Sequence, residues 1–169
     1  SGIASGYTLS ATEKISGTLY GDKVFYSEVT LTANDVVGHT FNGWTVNGIT
    51  LTAADLADET ISFRMPANAV ACTANYTPNN YGVSYTYSGI VNGVTPAITS
   101  TVGGQTTDDL SSVTFHDEVA LTAEVLDGYT FAWVTANGDT LGVDYTYSFN
   151  MPANDVACTA QYTAIQYAL

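Results

Sequence analysis

The chain has 169 residues, enough for one large domain or two small ones, and 46% of them are apolar, which is too many for a disordered chain. Sixteen acidic residues stand against three basic ones, Lys14, Lys23 and Arg64, for a formal net charge of −13. That balance excludes nucleic acid as a partner, since binding needs cations facing phosphates, and it disfavours anionic lipid surfaces.

The first clear element is "EVTLTA", where Val29, Leu31 and Ala33 alternate with Thr30 and Thr32. A period of two predicts a strand with one apolar and one wet face. "GHTFNGWTVNG" (38–48) follows as a second strand, with Gly43 inside it. "TAADLADE", around Ala54, is the only plausible helical turn. Alternation returns at Ile61, Phe63 and Met65, and again at Val70, Cys72 and Ala74. Tyr81, Val83, Tyr85 and Tyr87 then share one face of a predicted strand. The stretch up to Glu118 is rich in Thr, Ser, Gly and Asp, which predicts a longer loop or an added hairpin. Late in the chain Tyr145, Tyr147, Phe149 and Met151 alternate, as do Val156, Cys158 and Ala160.

Much of this is written twice. "FRMPANAVACTANYT" (63–77) recurs as "FNMPANDVACTAQYT" (149–163) with three changes. "EVTLTANDVVGHTFNGWTVNG" (28–48) recurs as "EVALTAEVLDGYTFAWVTANG" (118–138). The offset falls from 90 to 86 between these blocks, so the second copy lacks four residues of "ITLTAADLADET". The division predicted is a first module over 1–78, a second over 79–163 with a longer front, and the start of a third over 164–169. Each module is expected to hold five to seven short strands. Proline donates nothing to a ladder, so Met-Pro is expected to end a strand, and "PANA" and "PAND" read as four-residue hairpin loops. Parity agrees: Met65 opposite Val70 sets Phe63 against Cys72 and Ile61 against Ala74, all apolar. The predicted fold is all-β, two tandem small antiparallel β-sandwich-like modules, with a β-grasp-like fold carrying one short helix as the other possibility.

The repeated segments carry a family likeness. "VTLTA", "GHTFNGW", "ISFRMPANAVACTANYT" and their second copies resemble the divergent B-repeat domains of bacterial surface proteins, which are related to internalin B-repeats. The likeness covers roughly 24–77 and 115–163. The second copy departs from it in reading "FAW" for "FNGW". The resemblance implies an extracellular, tandemly repeated module used as a spacer or adhesive part. It brings no catalytic residues.

Both cysteines, Cys72 and Cys158, fall on inward positions of separate modules. They are expected to be buried, unbridged thiols acting as small hydrophobes, too far apart for a disulfide. Trp44 follows Phe41 by three residues and Trp133 follows Phe131 by two, so the two tryptophans stand at opposite parity relative to their Phe. Either Gly43 marks a β-bulge that returns both to the core, or one is exposed, and Trp133 then joins the binding candidates. Tyr85, Tyr87, Tyr145 and Tyr147 are the remaining candidates, since rings on rigid strands can stack on a sugar or a protein partner. His39 and His116 are not equivalent and belong to no catalytic motif. Asp108–Asp109 and Asp117–Glu118 lack the spacing of a calcium loop, so no metal and no cofactor is expected. Lys14 and Lys23 are the only lysines available to an intramolecular isopeptide bond. No run of about 18 apolar residues is present, so no membrane insertion is expected. "SGIASG" does not read as a signal peptide. The function expected is a non-enzymatic spacer or adhesion module, bacterial and extracellular, monomeric, contacting neighbouring domains of the same chain. A carbohydrate-binding module and a protein-docking module are the two other readings, with a glycan or a surface protein as partner.

Overall fold

The computed structural model describes residues 11–15, 25–91, 93–135 and 138–168, the first stretch by its backbone pairing alone. The chain divides into two compact units, Ser1–Asn79 and Asn80–Leu169. Lys23 lies outside the described residues, as does the side chain of Lys14, so an isopeptide bond is outside what the structure addresses.

The first unit contains β1 (Ala11–Ile15), β2 (Glu28–Ala33), β3 (His39–Asn47), α1 (Ala53–Ala57), β4 (Thr60–Arg64) and β5 (Ala71–Pro78). One sheet has the order β1-β2-β4 and the other pairs β3 with β5, all antiparallel. Val29, Leu31, Ala33, Ile61 and Phe63 are the inward residues of the first sheet; Phe41, Trp44, Cys72, Ala74 and Tyr76 are those of the second. Ala33, Trp44, Ile61 and Tyr76 form the buried centre, so the core lies between two sheets. The wet face of the first sheet needs few charges because its hydroxyls pair across strands, Thr30 with Ser62 at 2.9 Å and Thr32 with Thr60 at 3.1 Å. The short helix survives through its cap. Thr52 Oγ1 accepts from the Asp55 N–H at 3.1 Å, and the Asp55 carboxylate accepts from the Thr52 N–H, also at 3.1 Å. The Thr52 hydroxyl, and then its backbone N–H, hold the Asp55 carboxyl below the usual aspartate range.

The second unit contains β6 (Asn80–Tyr81), β7 (Val83–Ser88), β8 (Ile98–Val102), β9 (Gln105–Thr106), β10 (Val113–Thr114), β11 (Glu118–Ala123), β12 (Tyr129–Thr135), β13 (Thr140–Gly142), β14 (Thr146–Asn150) and β15 (Val156–Ala164). Two four-stranded sheets, β14-β11-β8-β9 and β13-β12-β15-β7, enclose the core, and β6 pairs with β10. Val119, Leu121, Trp133, Met151, Ala160 and Tyr162 are each at most 1% exposed. The all-β reading holds, as two-sheet modules. The five described strands of the first unit fall within the expected five to seven, whereas the second unit has ten, several of them two or three residues long. The longer front holds a hairpin, β8–β9, which turns through Gly103 and Gly104 at φ 55° and 77°. It also holds β7, which runs parallel to β15, so the second module is not purely antiparallel.

The Met-Pro-Ala-Asn segment is not a hairpin loop. β4 pairs with β2 and β5 with β3; likewise β14 pairs with β11, and β15 with β12 and β7. Each copy carries the chain from one sheet to the other. The last bonds of the first sheet of each unit are made by the methionine itself: Met65 N donates to Ser27 O and Met151 N to Asp117 O, both at 2.8 Å, and the methionine carbonyls accept from Tyr26 N at 2.8 Å and His116 N at 2.9 Å. The proline then has no N–H to continue the ladder. Stacked sheets lie about 10 Å apart, and four extended residues reach about 13 Å, so the segment suffices for the crossing. Parity misled because strands facing each other across a core satisfy the same inward pattern as strands hydrogen-bonded side by side.

Candidate functional site

Each unit is built around one Trp–Phe–Tyr cluster. Trp44 meets Phe41 edge-on at 5.9 Å, and Phe41 meets Tyr76 at 5.6 Å. Trp133 meets Phe131 at 5.5 Å, and Phe131 meets Tyr162 at 5.1 Å. The polar ends are satisfied alike. Trp44 Nε1 donates to Asp58 O at 3.0 Å and Trp133 Nε1 to Tyr145 O at 3.1 Å. The Tyr76 hydroxyl donates to Asn34 O at 2.6 Å and that of Tyr162 to Glu124 O at 2.7 Å. Burial first pushes both phenols above the usual tyrosine range, followed by Glu59 and Asp35 for Tyr76 and by Tyr145 and Glu124 for Tyr162. Tyr76 and Tyr162 are equivalent, each closing the repeated segment in "NYT" and "QYT".

Gly43 explains the odd spacing of the tryptophans. The β3–β5 register slips between Phe41 and Gly43, and Gly43 adopts φ +107°, which L side chains avoid. The bulge turns Trp44 inward, to 5% exposure. Trp133 needs no bulge relative to β15 and is fully buried at 0%. It therefore cannot touch a ligand, and it drops out of the binding candidates.

The four tyrosine candidates separate into two environments. Tyr145 stacks on Phe131 at 4.7 Å and 17°, and Tyr147 on Phe149 at 5.3 Å and 30°. Both are half-buried and pack on the core, and burial raises the Tyr147 phenol, with Cys158 as a lesser cause. Their flat faces are committed to the protein, so they leave the surface set. Tyr85 is likewise half-buried against the core, but with Tyr87 it lines an open groove of about 390 Å³ together with Thr86, Pro96 and Ile98. Tyr87 is 44% exposed. Among the described residues this groove is the best candidate site.

The other candidates resolve into structural roles. Among the described residues neither cysteine is in a disulfide. Cys158 is buried, but Cys72 is only half-buried, in contrast to the expectation for both, because β5 is an edge strand of a two-stranded sheet. The Cys158 thiol donates to Ser84 O at 3.8 Å, and burial pushes it up to about 11 from the usual 9.0. Its neutral form is the folded form, so its contribution to stability is intact below about pH 9 and is lost as pH rises towards 11. Urea denaturation of wild type and Cys158→Val across pH 8 to 11 checks this: the wild type is expected to lose more stability over that window than the variant. His39 is 9% exposed and its Nδ1 lies 3.0 Å from Val37 O, so Nδ1 carries the proton in that bond. Asp109 accepts from both the hydroxyl and the N–H of Ser111, which lower its pKa. Among the described residues no group of three or more His, Cys, Asp or Glu is placed to hold a metal ion, and no helix is long and apolar enough to cross a membrane.

The sequence pattern of the divergent InlB B-repeat domain matches residues 7–80 and 94–166. No curated protein and no solved structure matches the chain. Residues 81–93 fall between the two matched stretches, so β7, with Tyr85 and Tyr87, lies outside the family pattern. Two matches that together span most of the chain, each centred on one Trp–Phe–Tyr cluster, make it a member of the divergent InlB B-repeat domain family in two tandem copies.

Proposed function

We propose that the chain is a non-enzymatic, extracellular repeat module of a bacterial cell-surface or secreted protein, and that it spaces and presents neighbouring domains. The repeated two-sheet frame carries this reading: the same aromatic cluster and the same sheet-to-sheet crossing occur in both units. Membership of a repeat-domain family supports it. The wet surface supports it too, since its threonine pairs, Thr122 with Thr146 and Thr86 with Thr159, give hydration without sticky charge. An adhesive role would rest on the Tyr85–Tyr87 groove alone. A carbohydrate reading would rest on the same groove, since Trp133 is fully buried and the half-buried Tyr145 and Tyr147 stack on Phe131 and Phe149.

Single-molecule stretching of the chain between inert handles tests the spacer role. Two discrete unfolding steps are expected, about 280 Å and about 320 Å long, from units of 79 and 90 residues. Smooth extension without steps would remove the mechanical basis of the proposal.

A further inference from the structure

We propose that the outer edge of β7 accepts an extended, lysine- or arginine-bearing peptide as a fifth strand of the β13-β12-β15-β7 sheet. β7 is the last strand in that order. Its backbone direction can be read from two bonds. Gly82 O accepts from Val156 N, towards β15, whereas Val83 N, one residue on, donates the other way, to Leu110 O. Successive residues of a strand point their backbone groups to opposite edges, so Tyr85 and Tyr87 direct N–H and C=O outwards. Among the described residues nothing bonds those two N–H groups.

Proteins ordinarily guard such an edge with lysine, proline, a bulge or extreme shortness. β7 reads Val-Ser-Tyr-Thr-Tyr-Ser over six residues, pairs with β15 without a register break, and has none of these. The other edge of the same sheet, β13, is only three residues long. The groove lined by Tyr85, Tyr87, Pro96 and Ile98 runs beside the open edge and offers apolar contact to alternate side chains of an added strand. Charge selects the occupant. Residues 80–169 hold nine Asp and Glu and no Lys or Arg. One of those carboxylates lies beside the groove: Glu124 Oε2 accepts from Ala97 N, between Pro96 and Ile98. A basic strand is drawn to this edge and an acidic one repelled. The proposal is independent of the spacer reading, which concerns the frame and not this edge.

The experiment uses the ¹⁵N-labelled chain and two acetylated, amidated heptapeptides, Lys-Val-Lys-Val-Lys-Val-Lys and its Glu-for-Lys counterpart. The basic peptide is expected to slow amide exchange at Tyr85 and Tyr87 by about tenfold or more, with little change at Ser84 and Thr86, whose N–H groups face β15. The acidic peptide is expected to do nothing. Two variants separate backbone from ring. Tyr87→Pro removes the outward donor at a place where an edge strand tolerates proline, and should abolish binding. Tyr87→Val keeps the donor and should bind within about threefold of wild type, because strand addition draws its affinity from the main chain. Absence of protection, equal protection by the acidic peptide, or equal loss in Tyr87→Val and Tyr87→Pro would each overturn the proposal. So would a soluble polysaccharide that perturbs Tyr85 and Tyr87 where the basic peptide does not, which would mark ring stacking on sugar.

Discussion

Trp133→Ala is expected to destabilise the second unit by about 3–5 kcal/mol, the range for removing a large aromatic from a packed core. The ring is fully buried, meets Phe131 edge-on at 5.5 Å, and joins the β12 sheet to Tyr145 through its N–H. Truncation opens a cavity between the two sheets and leaves the Tyr145 carbonyl without the indole donor. Folded domains hold only about 5–15 kcal/mol in total, so the second unit should lie near its unfolding threshold. Urea denaturation followed by circular dichroism gives the loss. The variant keeps Trp44 as its sole tryptophan, so fluorescence then reports the first unit alone, whose midpoint should not move. A loss under about 1 kcal/mol would show that the sheets close over the gap, against the packing described.

Gly43→Ala is expected to cost the first unit about 2–4 kcal/mol, through two causes that add. The position has φ +107°, and a Cβ built there would stand 2.7 Å from the Leu56 carbonyl oxygen of α1. The bulge and the short helix are thus parts of one device: α1 packs where only a glycine leaves room. Gly128→Ala separates the causes, since Gly128 has φ +83° but no atom within 4 Å of its Cβ position. That variant should lose about 1 kcal/mol, from strain alone. Equal losses at both positions would refute the steric part of the argument.

The same device shows what was legible in the sequence. Alternation at Val29–Ala33 and Ile61–Met65 gave the strands, and the twin blocks gave two modules, because period and repetition are written directly in residue order. The change from "FNGW" to "FAW" pointed to the bulge. The four missing residues pointed less clearly to its counterpart: they delete α1, and β13 pairs with β12 in its place. Partnership between strands was not legible. A period of two fixes which face is inward and is silent on neighbour, direction and sheet, so the Met-Pro crossing read as a hairpin and parallel β7 read as one more strand. For the site, Tyr85 and Tyr87 were found by their alternation, yet the identical alternation at Tyr145 and Tyr147 marks packed rings. Both β7 and β14 end their sheets, so what tells these apart is the ring each tyrosine packs on, Phe131 under Tyr145 and Phe149 beside Tyr147, which alternation does not record.

The sheet-to-sheet crossing also bears on how the chain acquires its fold. With no hairpin at Met-Pro, β2 waits for β4, and β3 for β5, the nearest partners being Thr32 with Thr60 and Asn47 with Ala71, 28 and 24 positions apart. In the second unit Val83 pairs with Val156, 73 positions later. Contacts so distant in sequence make for slow folding, because loop entropy is lost before any pairing repays it. The second unit cannot complete its sheet until almost its last strand is available. A nascent chain with that property stays open until it has been made nearly in full, which is the condition in which a polypeptide can be threaded through a narrow pore.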